Sequence, residues 1–345
     1  MITLYRGLAV AAAALGCAAC GDGRADPGPT GDVASATVRV AETRPLMGVA
    51  WTITVQASDR DGGERAIAAG FAEAARLEQI LSDYDATSEL SRLSASAPTP
   101  GPVPVGEDLW NVLTRADELH GLTDGAFDIT VGPLTTLWRQ SRRSGRLPRP
   151  DKLAAARAAV GAGAVVLDRA ARAVSLTRPG IRLDPGGIGM GYAVDRVLAV
   201  LADHGIASAM VDASGDVGVS AAPPGTAGWR IRVQGMPRDT EAEPLVLARA
   251  AVTTSGDARQ FVEIDGRRFS HIVDPTTGLG VAGPAAVTVI APDCTTADAL
   301  ATAASVLGHG RGPAMIARFP GVSARFVWRD GETMRALVTP GWPRR

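Results

Sequence analysis

Two Asp-Gly pairs, Asp265-Gly266 and Asp330-Gly331, limit most strongly what this chain can fold into. The first separates Gln260–Ile264 from Arg267–Val273, and the second separates Ala324–Trp328 from Met334–Val338. Both sets of flanking segments are rich in β-branched and aromatic residues. An Asp-Gly loop accepts the positive φ angles whose twist matches a pair of antiparallel strands. Hairpins of this kind do not belong to a regular array of strand–helix–strand units with an all-parallel sheet.

Helical patterns lie between the strand signals. Ile67, Phe71, Ala74 and Leu81 share one face of Arg65–Leu81, and Leu109, Val112, Leu113, Ala116 and Leu119 share one face of Asp108–His120. Asp151–Val160 reads as an Ala-rich helix, and Tyr192–His204 as a helix after a glycine-rich turn. Ala285–Ile290 reads as a buried strand leading into a helix over Thr296–Leu307. Further strands are predicted at Ala50–Ala57, Ala207–Asp212, Trp229–Gln234 and Ala250–Thr254. The expectation is an α+β fold of mostly antiparallel sheets with packed helices. A length of 345 residues, 46% of them hydrophobic, suits one large domain or two closely packed ones. With 35 basic against 36 acidic side chains and no long run of either sign, nothing suggests a nucleic-acid-binding or polybasic membrane surface.

The first twenty residues read differently. Arg6 is the only charge in Met1–Cys20, and Gly7–Gly16 is an unbroken apolar run. That run is too short to span a bilayer stably and has the length of a signal-peptide core. It ends in Leu15-Gly16-Cys17-Ala18-Ala19-Cys20, which resembles a bacterial lipoprotein cleavage site with Cys17 or Cys20 as the lipidated residue. A simple secretory signal cut nearby is the alternative, and both readings export the protein. Residues 21–36, rich in Gly, Asp and Pro, read as a tether, which leaves 37–345 as the folded part. The expected location is therefore lipid-anchored, on the periplasmic side of the bacterial inner membrane. Cys294 is the remaining cysteine, so an internal disulfide is not expected after processing; it reads as a small packed side chain.

Three places could carry chemistry. Asp298 and Thr302 stand one helical turn apart on the same face, and a carboxylate with a hydroxyl offers hard oxygens suited to Mg²⁺. A helix-start Asp and a packed Thr explain the same spacing. Leu183-Asp184-Pro185-Gly186-Gly187-Ile188-Gly189-Met190-Gly191-Tyr192-Ala193-Val194-Asp195 brings glycines up to the start of a helix, where the backbone can approach a phosphate. A structural glycine turn is the competing reading, and the spacing is not a dinucleotide-fold fingerprint. His271 falls near the end of a hairpin strand, before Asp274-Pro275-Thr276-Thr277-Gly278, and suits a general base of near-neutral pKa or a structural role.

Further segments fall in a fixed order with these. They are Met47-Gly48; Ser82-Asp83-Tyr84 with Ser88-Glu89-Leu90-Ser91-Arg92-Leu93; and Thr123-Asp124-Gly125-Ala126-Phe127-Asp128-Ile129-Thr130-Val131-Gly132-Pro133-Leu134 with Leu137-Trp138. Ser255-Gly256-Asp257, Ser270-His271 and Thr296-Ala297-Asp298-Ala299-Leu300-Ala301-Thr302 complete the series. From about Met47 to Leu307 the chain thus resembles the ApbE family, FAD:protein FMN transferases once described as thiamine-biosynthesis lipoproteins. The resemblance implies that Met47, Tyr84, Ala126, Phe127, Asp128, Asp184, Met190 and His271 stand at FAD-contacting positions, with Tyr84 against the isoalloxazine ring. It implies side-chain Mg²⁺ ligands at Asp298 and Thr302, with the Gly187 carbonyl joining them, and His271 as the base that activates a target threonine. FAD would then be the substrate: the threonine takes FMN and AMP leaves. The acceptor implied is a membrane or periplasmic redox subunit.

The chain departs from the family pattern at several positions. Met190 stands where Lys is common, Pro185 where Leu is usual, Ser94 where Asn often follows Ser-Arg-Leu, and Ser214-Gly215-Asp216 replaces Gly-Gly-Asp. Two other functions use the same site: an Mg²⁺-dependent FAD pyrophosphatase giving FMN and AMP, and a non-catalytic flavin-binding chaperone.

Overall fold

The computed structural model describes residues 37–233, 244–257, 260–283 and 285–343. The leader with both its cysteines, the tether and the end of the expected strand Trp229–Gln234 lie outside them.

Strands that follow one another in the chain also lie side by side in the main sheet. Val38–Leu46 (β1), Val49–Ala57 (β2), Ser208–Ala213 (β3), Asp216–Val219 (β4), Ala250–Gly256 (β5), Ala285–Ala291 (β6), Ser323–Asp330 (β7) and Thr333–Val338 (β8) make one eight-stranded sheet. Every neighbouring pair is antiparallel. The turn Met47-Gly48 has φ of 49° and 77°, so β1 and β2 close as a two-residue hairpin from Leu46↔Val49 outward.

The helices are Arg60–Leu81 (α1), Glu89–Ala95 (α2), Glu107–Leu122 (α3), Gly132–Ser144 (α4), Pro150–Ala158 (α5), Gly189–Asp203 (α6) and Cys294–Ile316 (α7). α1 packs on β1–β2, α6 on β3–β4 and α7 on β5–β7, and α6 touches both other helices. A helical layer thus covers one face of the sheet. Trp51, Ile53 and Val55 of β2, Phe71 and Leu77 of α1, and Val194 and Val197 of α6 belong to that core.

A second, three-stranded sheet, Phe261–Ile264, Arg267–Val273 and Gly280–Ala282, packs against α4 and α5. Leu134, Trp138, Ala156, Val160, Ile264, Phe269 and Val273 form the core between them. The first Asp-Gly hairpin is as expected: Asp265 and Gly266 have φ of 49° and 71° between Ile264 and Arg267.

The second hairpin differs by one residue. Asp330 pairs with Thr333, so the loop is Gly331-Glu332, with Gly331 taking the positive φ of 59° at its first position. α1 starts five residues before its expected bound, because Asp59 caps it by accepting from the Gly62 N–H at 2.7 Å. α7 runs beyond Leu307, but Gly308 (φ 64°, ψ −176°) breaks it into two segments.

Candidate functional site

The site begins where α6 crosses α7. A Cβ on Gly191 would stand 2.3 Å from the Cys294 carbonyl oxygen and 2.9 Å from Asp298 Cβ, so only glycine lets the helices come this close. Asp195, one turn further along α6, secures the crossing. Its carboxylate accepts from Cys294 N and Thr295 N, each at 2.8 Å, and from the Thr295 hydroxyl at 2.5 Å. Thus part of the glycine-rich motif docks two helices.

The crossing positions the expected metal ligands. Asp298 is buried, and its Oδ2 accepts from Gly191 N at 3.1 Å. On the same face Thr302 meets Gly187, where an added Cβ would lie 2.8 Å from Thr302 Oγ1. Ser255 Oγ of β5 stands 3.5 Å from the same hydroxyl. Gly187 and Thr302 are therefore in contact, with Asp298 one turn before Thr302 on α7, and a carbonyl, a hydroxyl and a carboxylate are the oxygens these residues could offer an ion. Among the described residues no group of three or more His, Cys, Asp or Glu side chains could hold a metal ion. An ion here would rest on this mixed set of hard oxygens, which fits Mg²⁺ completed by substrate phosphate and water.

A cavity of about 500 Å³ opens in front of it. Asp298, Met190 and Gly186 line it together with His271, Asp212 and Asp216. Burial, and then the Asp216 carboxylate, pushes Asp298 well above the usual carboxylate range. Lost solvation likewise pushes Asp216 up to about 7; the Thr253 hydroxyl opposes the rise and Asp212 adds to it. Uncompensated carboxylates in a cleft are what a bound cation relieves.

His271 reaches the cavity from the second sheet. Trp138 of α4 donates its indole N–H to the Ser270 carbonyl at 2.8 Å, and its ring packs edge-on to Phe269 at 5.6 Å. The buried Asp257, the residue after β5, holds the same hairpin by accepting from Arg268 Nε at 2.7 Å, and it accepts from Ala285 N at the start of β6 at 2.9 Å. His271 Nδ1 lies 3.3 Å from the Gln260 carbonyl, a bond that places the proton on Nδ1 and leaves Nε2 as the free base. Burial lowers the His271 pKa and Arg142 lowers it further, whereas the Gln260 carbonyl and Asp257 act the other way.

Tyr84 borders a second cavity of about 450 Å³, lined also by Ser91, Ser94 and Arg182. Tyr84 is 80% exposed, and the Arg139 guanidinium lies 4.5 Å from its ring centroid. Arg139 also binds Asp83 at 2.7 Å and Asp184 at 3.4 Å, and Asp184 accepts from the Thr135 hydroxyl at 2.5 Å. Tyr84 and Asp184 therefore share one ionic network, although Asp184 lines neither cavity.

The remaining expected contacts are more remote. Met47 occupies its hairpin turn, half-buried against the main core. Ala126, Phe127 and Asp128 are buried and line neither cavity; Asp128 accepts from Thr130 N and Oγ1 at 2.8 and 2.6 Å. Sequence reasoning named neither Asp212 nor Arg139 as a site residue. Asp216 was noted only as the third residue of Ser-Gly-Asp, and its place beside Asp298 depends on strand order.

The ApbE family model matches residues 47–326. An FAD:protein FMN transferase of Salmonella typhimurium is 30% identical over 98% of this chain and 96% of its own. One from Vibrio cholerae is 35% identical over 69% of this chain and 73% of its own. Among solved structures, the apo form of the Pseudomonas stutzeri flavinyl transferase ApbE superposes with a TM-score of 0.78 at 30% identity, covering 88% of this chain and 95% of that one. The family match takes in the second sheet and every residue that lines the two cavities, and the chain belongs to the ApbE family.

Proposed function

We propose that this protein is an Mg²⁺-dependent FAD:protein FMN transferase. On this reading it joins FMN through a phosphoester to a threonine of an exported or membrane redox protein and releases AMP. The observation that carries the proposal is the meeting of Asp298 and His271 on one cavity, with Gly187 and Thr302 packed together behind Asp298.

Each group then has a task. Tyr84 offers its exposed side chain to the isoalloxazine ring, and Arg139 lies against the Tyr84 ring. His271 Nε2 takes the proton of the acceptor threonine, whose oxygen attacks the FMN-side phosphorus of FAD. The bond from that phosphorus to the bridging pyrophosphate oxygen breaks, and AMP leaves with that oxygen. Asp298, Thr302 and the Gly187 carbonyl would hold Mg²⁺, which when bound neutralises charge on the pyrophosphate. The lowered pKa of His271 keeps the base neutral at neutral pH.

The leader extends the proposal to location. The chain is exported and anchored through lipid on Cys17 or Cys20, with residues 21–36 as the tether of the folded part 37–345. Palmitate labelling in cells should disappear in either Cys17→Ser or Cys20→Ser; labelling that survives in the double variant contradicts the anchor.

The activity is tested with the full chain in detergent, FAD, Mg²⁺ and an acceptor domain bearing a flavinylation threonine. Covalent flavin fluorescence on the acceptor, lost with EDTA and in Asp298→Ala and His271→Ala, is the expected result. FMN and AMP without labelled acceptor would establish a pyrophosphatase, and intact bound FAD a carrier.

A further inference from the structure

Helix α4 touches elements that line each of the two cavities, and it carries a cation without a hydrogen-bond or ion-pair partner among the described residues. Trp138 ties α4 to the strand of His271, and Arg139 ties it to Tyr84 and Asp184. Arg142 follows Trp138 by four positions and Arg139 by three, so it lies on the helix face next to both. Arg139 is saturated by Asp83, Asp184 and the Tyr84 ring. Arg142 is half-buried yet makes no hydrogen bond or ion pair among the described residues. Lost solvation lowers its pKa, Tyr84 acts the other way and Arg139 lowers it further, and no carboxylate is among the groups that act on it. A partly desolvated guanidinium beside another cation is unfavourable until an anion joins it.

Met190 lines the main cavity from the start of α6 without bringing a charge there, and the charged side chains of that lining are Asp212, Asp216 and Asp298 with one cation, the exposed Arg232. We propose that Arg142 is the docking point for the FMN-side phosphate of FAD, supplying from α4 the cationic contact that Met190 cannot make from α6. The inference rests on the transferase reading, in which the flavin lies against Tyr84 and the reacting phosphorus near His271. It adds a phosphate-recognition residue on a helix that the sequence resemblance left without one. Guanidinium suits the task because it can meet two phosphate oxygens at once.

The test compares FAD with riboflavin, which has the ring but no phosphate. Affinities of the full chain in detergent are read from flavin fluorescence for the wild type, Arg142→Gln, Arg142→Lys, Arg232→Gln and Arg142→Gln with Met190→Lys. Losing one charged hydrogen bond weakens binding by about tenfold to a hundredfold. Arg142→Gln should lose that much for FAD and nothing for riboflavin, Arg142→Lys should recover most of it, and the added Met190→Lys should restore part. Unchanged FAD affinity in Arg142→Gln, an equal loss for riboflavin, or a loss confined to Arg232→Gln overturns the proposal while leaving the transferase reading intact. A wild-type chain that binds no FAD overturns both.

Discussion

Replacing Gly191 by Ala puts one methyl group at the crossing of α6 and α7. Its carbon would sit 2.3 Å from the Cys294 carbonyl oxygen, 2.7 Å from the carbonyl carbon and 2.9 Å from Asp298 Cβ. Ordinary contact begins at 3.4 Å, so the helices must part by about 1 Å (3.4 less 2.3). Two of the three obstacles are backbone atoms in the first turn of α7, which Asp195 holds in place, so no rotamer change relieves the clash. Overpacking of this kind costs about 1–3 kcal/mol, more when backbone must move, and the better helix propensity of Ala returns only about 1 kcal/mol. A net loss of about 2 kcal/mol lowers the melting temperature by roughly 3 °C in a folded part of this length. Parting the helices also separates Gly187 from Thr302, so stabilisation by Mg²⁺ should weaken in the same variant. Thermal unfolding followed by circular dichroism, with and without Mg²⁺, measures both effects. Gly121→Ala is the control: nothing lies within 4 Å of its Cβ position near the end of α3, and a gain of up to about 1 kcal/mol is expected. If Gly191→Ala melts with or above the wild type, the crossing is not the close contact described.

Three further outcomes follow from individual groups. Burial holds His271 below the ordinary imidazole pKa, so transfer should stay level through neutral pH and fall only as pH drops below about 6.5; a decline between alkaline and neutral pH would contradict the base assignment. Asp298→Asn removes a carboxyl group whose ionisation burial disfavours, so the metal-free variant should melt no lower than the wild type at neutral pH, while Mg²⁺ should stabilise only the wild type; equal stabilisation of both would remove Asp298 from the metal site. Arg268→Met leaves the carboxylate of Asp257, 1% exposed, without its counter-ion, and should cost about 3–5 kcal/mol in urea unfolding; a loss below about 1 kcal/mol would contradict that pairing.

The Asp-Gly turn at Asp265, the apolar faces of α1 and α3 and the strand before α7 were legible because each is a local signal. The second hairpin slipped by one residue because Gly331 takes the first loop position and leaves Asp330 free to pair with Thr333. The early start of α1 rests on the Asp59 cap, which brings Gly62-Gly63 into the first turn. Gly63 is needed there, since a Cβ would stand 2.8 Å from Val40 Cγ2. α4 was missed because its buried residues are few, Gly132, Leu134, Trp138 and Ser141, in an otherwise polar segment. The pairing of Asp298 with Thr302 needed only helix geometry. The approach of Asp216 to Asp298 depends on β4 lying beside β5, which no local spacing records.

The central claim is that one cavity breaks FAD and passes its FMN half to a protein hydroxyl. The most direct measurement is the yield of AMP against labelled acceptor in a single reaction, by chromatography and intact-protein mass. One AMP for each FMN-bearing acceptor, with the label lost when the acceptor threonine is replaced by Ala, is the expected result. AMP released without a matching increase in acceptor mass would contradict the transferase account.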